Sequence, residues 1–232
     1  MSERRIHALD AVRGLALYVM LYYHFVYDLA LFGLVDWDFV FCTPMNVLER
    51  TAASVFILLA GISSRMSRNN LRRGVKVLLC AVVVELASSL AGVTIRFGVL
   101  TLLGSCMVLY GLFGKYIQKL PEFLLECVCI PAFGAGYAMY QNVFVSKKWL
   151  YPLGLRSESF VSADYFPLIP WAFMFLLGTC LGGMVLSVKR PSWLTREYPR
   201  FLTLPGRNTL IIYMLHQPVL YAIAWGISEL IR

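Results

Sequence analysis

Seven stretches of the chain, roughly 9–34, 47–65, 71–92, 97–115, 122–145, 166–188 and 208–230, are close to continuously apolar. As helices, each is long enough to cross about 30 Å of hydrocarbon. None shows the period-two alternation of a barrel strand, and open sheet edges are excluded from lipid, so helices are what these runs predict. Composition agrees: 59% of the 232 residues are hydrophobic and 15% charged, against about 25% charged in soluble domains. The expectation is an all-α protein, a polytopic transmembrane bundle of about seven helices formed by residues 1–232 as one domain. The first run is not read as a cleaved signal peptide, because it is long, contains Asp10, Arg13, His24 and Asp28, and has no small-residue cleavage site after it.

Basic residues give the runs a direction. Arg4 and Arg5; Arg65, Arg68, Arg72, Arg73 and Lys76; Lys115 and Lys119; and Lys189, Arg190, Arg196, Arg200 and Arg207 fall in alternate connections, fourteen in all. The opposite connections hold five, namely Arg96, Lys147, Lys148, Arg156 and the terminal Arg232. Positive loops stay in the cytoplasm, so the N-terminus is expected inside and the C-terminus outside. The net charge of +8 is then explained by topology and anionic lipid, and no nucleic-acid partner is expected. Cys42, Cys80, Cys106, Cys127, Cys129 and Cys180 form no CxxC or metal-ligand spacing, so they read as small apolar side chains and no metal is expected.

The first apolar run carries the sharpest chemical signal. Arg13 and His24 are eleven residues apart, about three helical turns, so they leave the same face separated by about 16 Å along the axis. Asp10 precedes Arg13 by three residues and Asp28 follows His24 by four, which makes a polar stripe on an apolar helix. Pairing of Asp10 with Arg13 at the membrane surface is a structural explanation for one end. For a histidine deep in lipid, function is the better explanation, since burying a polar group is costly and an apolar residue packs more simply. Asp28 is placed to fix its tautomer and raise its basicity if the two side chains meet.

Other polar groups within the apolar runs are more evenly balanced. Glu49 and Arg50 either line a cavity mouth or snorkel to the headgroups. Glu85 has no local cation, so it either finds a partner on another helix, Arg96 being one candidate, or is neutral, or faces water. Thr209, Tyr213 and His216 share a face of the last run, just before Pro218, where a bend is expected, and His216 suits helix–helix bonding as well as chemistry.

The segment Arg5-Ile-His-Ala-Leu-Asp10-Ala-Val-Arg13-Gly14-Leu-Ala, followed by His24, resembles the opening of the acyltransferase-3 family of transmembrane acyltransferases, with its Arg-x10-His spacing. Four further segments make the chain more similar to the related heparan-alpha-glucosaminide N-acetyltransferase catalytic domain family. They are Leu59-Ala-Gly61-Ile-Ser-Ser-Arg65, Phe97-Gly98-Val-Leu, Asp164-Tyr-Phe-Pro167-Leu-Ile-Pro170-Trp171, and Gly206-Arg207-Asn208 running into Tyr213-Met-Leu-His216-Gln217-Pro218. They span most of the chain in order.

The resemblance implies a transmembrane acyltransferase-like domain that takes an acetyl group from cytosolic acetyl-CoA, as co-substrate, to an amine or hydroxyl of a glycan or small-molecule acceptor on the far side of the bilayer. Joined to the polar stripe of the first run, this makes His24 the expected base, Asp28 its orienting partner and Arg13 a residue that holds the donor or braces the entry, with Asp10, Arg65, Arg207 and Asn208 as further donor-binding candidates. Glu49, Arg50, Tyr213 and His216 are candidates for the cavity lining. One departure matters: the animal heparan-type enzymes carry the catalytic histidine in the external segment after the first helix, but here Gly33–Asn46 holds Asp36 and Asp38 and no histidine. The role therefore passes to His24 through the acyltransferase-3 pattern. The chain is short for the superfamily, so a second protomer, as a homodimer, is one way to enclose a cavity. The lack of a sorting extension or large lumenal domain points to a bacterial plasma membrane. A transporter or flippase using the same polar stripe, and a non-catalytic membrane protein, are the competing readings.

Overall fold

The computed structural model describes residues 6–187 and 191–231. Of the basic residues counted above, Arg4, Arg5, Lys189, Arg190 and Arg232 lie outside the described residues. The described chain is helical: α1 (His7–Leu31), the short α2 (Trp37–Val40), α3 (Thr43–Met66), α4 (Asn70–Leu90), α5 (Val99–Ile117), α6 (Glu122–Asn142), α7 (Leu168–Ser187), the short α8 (Ser192–Thr195) and α9 (Arg200–Arg207), and α10 (Thr209–Ile231). Among the described residues extended pairing is limited to one bridge between Phe144 and Arg156. All seven apolar runs are helices, with ends displaced from the expected ones by a few residues.

Six helices, α1, α3, α5, α6, α7 and α10, are long and apolar enough to cross a membrane, which makes this an integral membrane protein. The remaining run is α4, which carries Arg72, Arg73, Lys76 and Glu85. Its companion helix explains how it stays in place. Gly74 lies against the backbone of Gly104 and Val108, Gly111 against Leu71, and Glu85 accepts a 2.8 Å hydrogen bond from Thr101. These contacts lay α4 antiparallel along α5, and glycines are what allow two helices without a hydrophobic drive between them to close up. Thr101, not Arg96, is the partner Glu85 finds.

The chain forms two compact units: residues 1–56 with 190–232, and residues 57–189. In the first, α1 packs on α9 and α10, and a small core of Val26, Ala30, Val40 and Met45 closes the C-terminal end of α1 against α2 and the start of α3. α10 continues as one helix through Pro218.

The second unit contains the rest of α3 and α4 to α7. Gly61 sits against the Phe175 carbonyl and Gly178, and Gly178 against the Leu58 carbonyl, so α3 and α7 meet backbone to backbone. Asp164 accepts a 3.0 Å bond from the Val99 amide and so satisfies a free donor at the start of α5. Phe97, just before, holds the unusual φ of +58°, and its carbonyl accepts from the Phe166 amide at 3.0 Å. Three of the segments that carry the family resemblance are therefore pieces of one scaffold.

Candidate active site

α1 and α9 meet through glycines. Gly14 lies directly under the Leu202 carbonyl and Gly206 under the Asp10 carbonyl, and Tyr18 donates a 2.8 Å bond to the Phe201 carbonyl. Side chains at either glycine would collide with backbone, which cannot move aside as a flexible side chain could. This close approach brings together residues nearly two hundred positions apart in sequence. Arg13 pairs with Asp10 at 3.0 Å, Arg207 with the other oxygen of Asp10 at 3.4 Å, and Arg207 reaches His7 Nδ1 at 3.3 Å. One buried carboxylate thus positions two guanidinium groups of partly exposed side chains. Beside them is an open cavity of about 460 Å³ lined by His7, Glu197, Tyr198, Arg200, Thr203 and Arg207, together with Leu204.

Three helical turns further along α1 is a second polar cluster, shared with α10. The rings of His24 and His216 lie 4.9 Å apart, centroid to centroid, in an edge-on arrangement. His216 Nδ1 is 2.6 Å from the Tyr213 carbonyl. A carbonyl oxygen can only accept, so Nδ1 carries the proton and Nε2 presents a lone pair. That Nε2 is sealed from solvent and has no partner. Asp28, fully buried, accepts a 2.7 Å bond from Gln217 Nε2, while Asp28 Oδ2 and Gln217 Oε1 are buried without partners.

The structure corrects one expectation here: Asp28 turns to Gln217 and not to His24. The reason is placement, since Gln217 comes from the helix that packs against α1, whereas a residue one turn along α1 itself lies beside His24 only if both rotamers turn inward. Gln217 stands within a segment quoted for the family resemblance, yet it has no charge and no periodicity that marks it as a partner.

The other sequence-derived candidates fall elsewhere. Glu49 and Arg50 pair with each other at 3.3 Å in the first unit. Arg65 belongs to the second unit, where it pairs with Glu122 at 3.6 Å, in space that Gly182 and Gly183 leave beside α7. Asn208 joins α9 to α10: its side chain donates to the Leu204 carbonyl at 3.0 Å and its carbonyl accepts from the Ile212 amide. Tyr213 stands 5.1 Å from the His216 ring. His7, Arg200 and Gln217 were not picked out from sequence, because each becomes part of a site only through the α1 packing. Among the described residues no group of three His, Cys, Asp or Glu side chains is arranged to hold a metal ion.

Helices that cross a membrane, with a fixed pair of arginines at one level of α1 and a histidine pair, His216 of it buried, at another, define an integral membrane protein with a built polar site. A sequence model of the family described as heparan-alpha-glucosaminide N-acetyltransferase, catalytic, matches residues 5–218. The chain belongs to that family, and its function is accordingly of the membrane acetyltransferase type. No curated protein and no solved structure matches it significantly.

Proposed function

We propose that this chain moves an acetyl group from acetyl-CoA in the cytoplasm to an amine or hydroxyl of an extracytoplasmic glycan or related acceptor, in a bacterial plasma membrane, with the whole chain acting as one catalytic domain. The observation that carries this reading is the histidine pair. Two imidazoles face each other where α1 meets α10, one of them with its lone pair fixed by a backbone carbonyl and left without a partner.

The donor end is the Asp10–Arg13–Arg207 cluster with the cavity beside it. Asp10 orients the guanidinium groups of Arg13 and Arg207, and Arg207 and Arg200 line the cavity, donors suited to the phosphates of CoA. About 16 Å of α1 separates Arg13 from His24, a separation for the extended pantetheine arm to bridge, so that phosphates held at one cluster leave the thioester near the other. Attack of the acceptor N–H or O–H on the thioester carbonyl forms the new C–N or C–O bond and breaks C–S. His24 takes the proton of the attacking group as general base, assisted by His216 beside it, and the proton returns to the departing thiolate. Asp28 and Gln217 hold α10 in register with α1, and their free oxygens accept hydrogen bonds from the incoming acceptor group.

The test is binding and turnover in nanodiscs. Wild-type protein should bind acetyl-CoA saturably; Arg13→Ala and Arg207→Ala should weaken binding, while His24→Ala should retain binding and lose acetyl transfer to an amino sugar. Absence of any acyl-CoA binding would remove the acetyltransferase mechanism and leave transport as the reading to pursue.

A further inference from the structure

The connection between α6 and α7, in the second unit, is folded throughout. The Val145 amide donates to the Arg156 carbonyl at 3.0 Å, a 3-10 helix spans Lys148–Leu153, and Gly154 turns with φ of +91° directly against the Ile169 carbonyl. Tyr165 donates a 2.6 Å bond to the Tyr151 carbonyl, and burial pushes its hydroxyl well above the usual tyrosine range. Its ring meets Phe160 at 4.6 Å and Tyr140 at 5.8 Å.

Arg156 is set into this frame. Its guanidinium carbon lies 5.0 Å from the Tyr140 ring centroid and 5.2 Å from that of Phe144. The side chain is half-buried, its Nε is sealed from solvent without a hydrogen-bond partner, and among the described residues no carboxylate lies within ion-pairing distance of it. A positive charge drawn partly out of water and left without a counter-ion is costly. Two aromatic faces stabilise a cation but accept none of its N–H bonds. They do fix the plane of the guanidinium, and a fixed guanidinium edge is a fork of parallel donors suited to two oxygens of one anion.

We propose that Arg156, clamped between Tyr140 and Phe144, is a binding site for an oxyanion, a carboxylate or a phosphate. The group comes either from a soluble sugar acid or sugar phosphate or from the headgroup of an anionic lipid. The site stands on the geometry of this segment; only the soluble source rests on the acetyltransferase reading, as the charged part of the acceptor.

The test uses the full chain in phosphatidylcholine nanodiscs, with the emission of its five tryptophans, Trp149 and Trp171 among them, as readout. One arm titrates glucuronate and glucose 6-phosphate against neutral glucose. The other replaces part of the phosphatidylcholine with phosphatidylglycerol and measures retained lipid by native mass spectrometry. A saturable response to a sugar anion but not to glucose supports the site and names the soluble source, and selective retention of phosphatidylglycerol supports it and names the lipid. In either arm Arg156→Gln should weaken the effect at least about tenfold, with Arg156→Lys in between because it keeps charge and loses the fork. No anion dependence in either arm, or the same dependence in Arg156→Gln, overturns the proposal. If Arg156→Gln does not fold, Arg156→Lys decides: unchanged affinity overturns the site and reduced affinity at an unchanged melting temperature supports it. Acetyl-CoA binding is measured on the same preparations, so that its absence alongside intact anion binding would count against the enzymatic reading alone.

Discussion

The two units leave different kinds of polar atom unsatisfied. Among the described residues of the first, the buried atoms without partners are Asp28 Oδ2, Gln217 Oε1 and His216 Nε2, which are acceptors gathered where α1 meets α10. In the second they are Arg156 Nε, Trp171 Nε1 and the Ser64 hydroxyl, which can all donate and are dispersed over three elements. A buried polar atom without a partner costs free energy, so a cluster of three persists only where something else offsets it. Convergent acceptors ask for a group that brings protons, as an attacking amine or hydroxyl does; an isolated cationic donor asks for an anion. The family segments divide along the same line. Those of the second unit spend their polar groups on architecture, Asp164 on the start of α5 and Arg65 on Glu122, while the last of the first unit's leaves His216 Nε2 and Gln217 Oε1 without partners.

The comparison breaks most visibly at His24. His24→Ala should lower acetyl-transfer turnover by about 10²–10⁴-fold, the range for loss of a general base, while acetyl-CoA affinity stays within about twofold. Turnover unchanged in that variant would show that the first unit's cluster is packing only, and would erase the contrast. His216→Ala should follow at the lower end, about 10²-fold. His216→Asn keeps a bond to the Tyr213 carbonyl and loses the imidazole lone pair, so it should remain as impaired as the alanine variant if the role is chemical, and recover if the role is structural. A pH–rate profile that changes shape in His216→Asn, and not merely in height, is the accompanying signature.

Arg207→Ala sharpens the comparison inside the first unit, between its two polar clusters. Removing one of two guanidinium groups on Asp10 should raise KM for acetyl-CoA about tenfold, equivalent to about 1.4 kcal/mol of binding, with kcat nearly unchanged. Steady-state kinetics over a donor series decides it; a fall in kcat at constant KM would move Arg207 from donor binding to chemistry.

How far such contrasts are visible in the sequence depends on the kind of interaction. The all-α class and the seven runs follow from hydropathy, because lipid permits few alternatives, and the stripe of Asp10, Arg13, His24 and Asp28 follows from helical periodicity alone. The pairing of Asp10 with Arg13 is likewise local, an i, i+3 contact. What periodicity cannot supply is partnership between helices. Arg207 reaches Asp10 because Gly14 and Gly206 let α1 and α9 touch, and a glycine in an apolar run does not say which backbone it will meet. Asp28 bonds Gln217 for the same reason. α4 shows the converse, since its charges set it apart from the other runs, and its glycine contacts with α5 keep it alongside a spanning helix.

Asp164→Ala gives the smallest effect and the cleanest control, because it removes polarity from the second unit without touching the first unit's clusters. The carboxylate accepts from Val99 N at 3.0 Å, and Ser162 donates to the Asp164 carbonyl at 2.6 Å, so the main chain stays anchored when the side chain is cut back. What is lost is one charged acceptor at a helix start, worth about 1 kcal/mol by analogy with N-cap replacements. The expected outcome is a melting temperature lower by a few degrees, as about 1 kcal/mol implies for a chain of this size, with acetyl-CoA affinity and turnover unchanged once folded protein is counted. If Asp164→Ala instead abolished turnover at wild-type thermal stability, the division of labour between the units would be wrong, and the second unit would have to contribute to the chemistry directly.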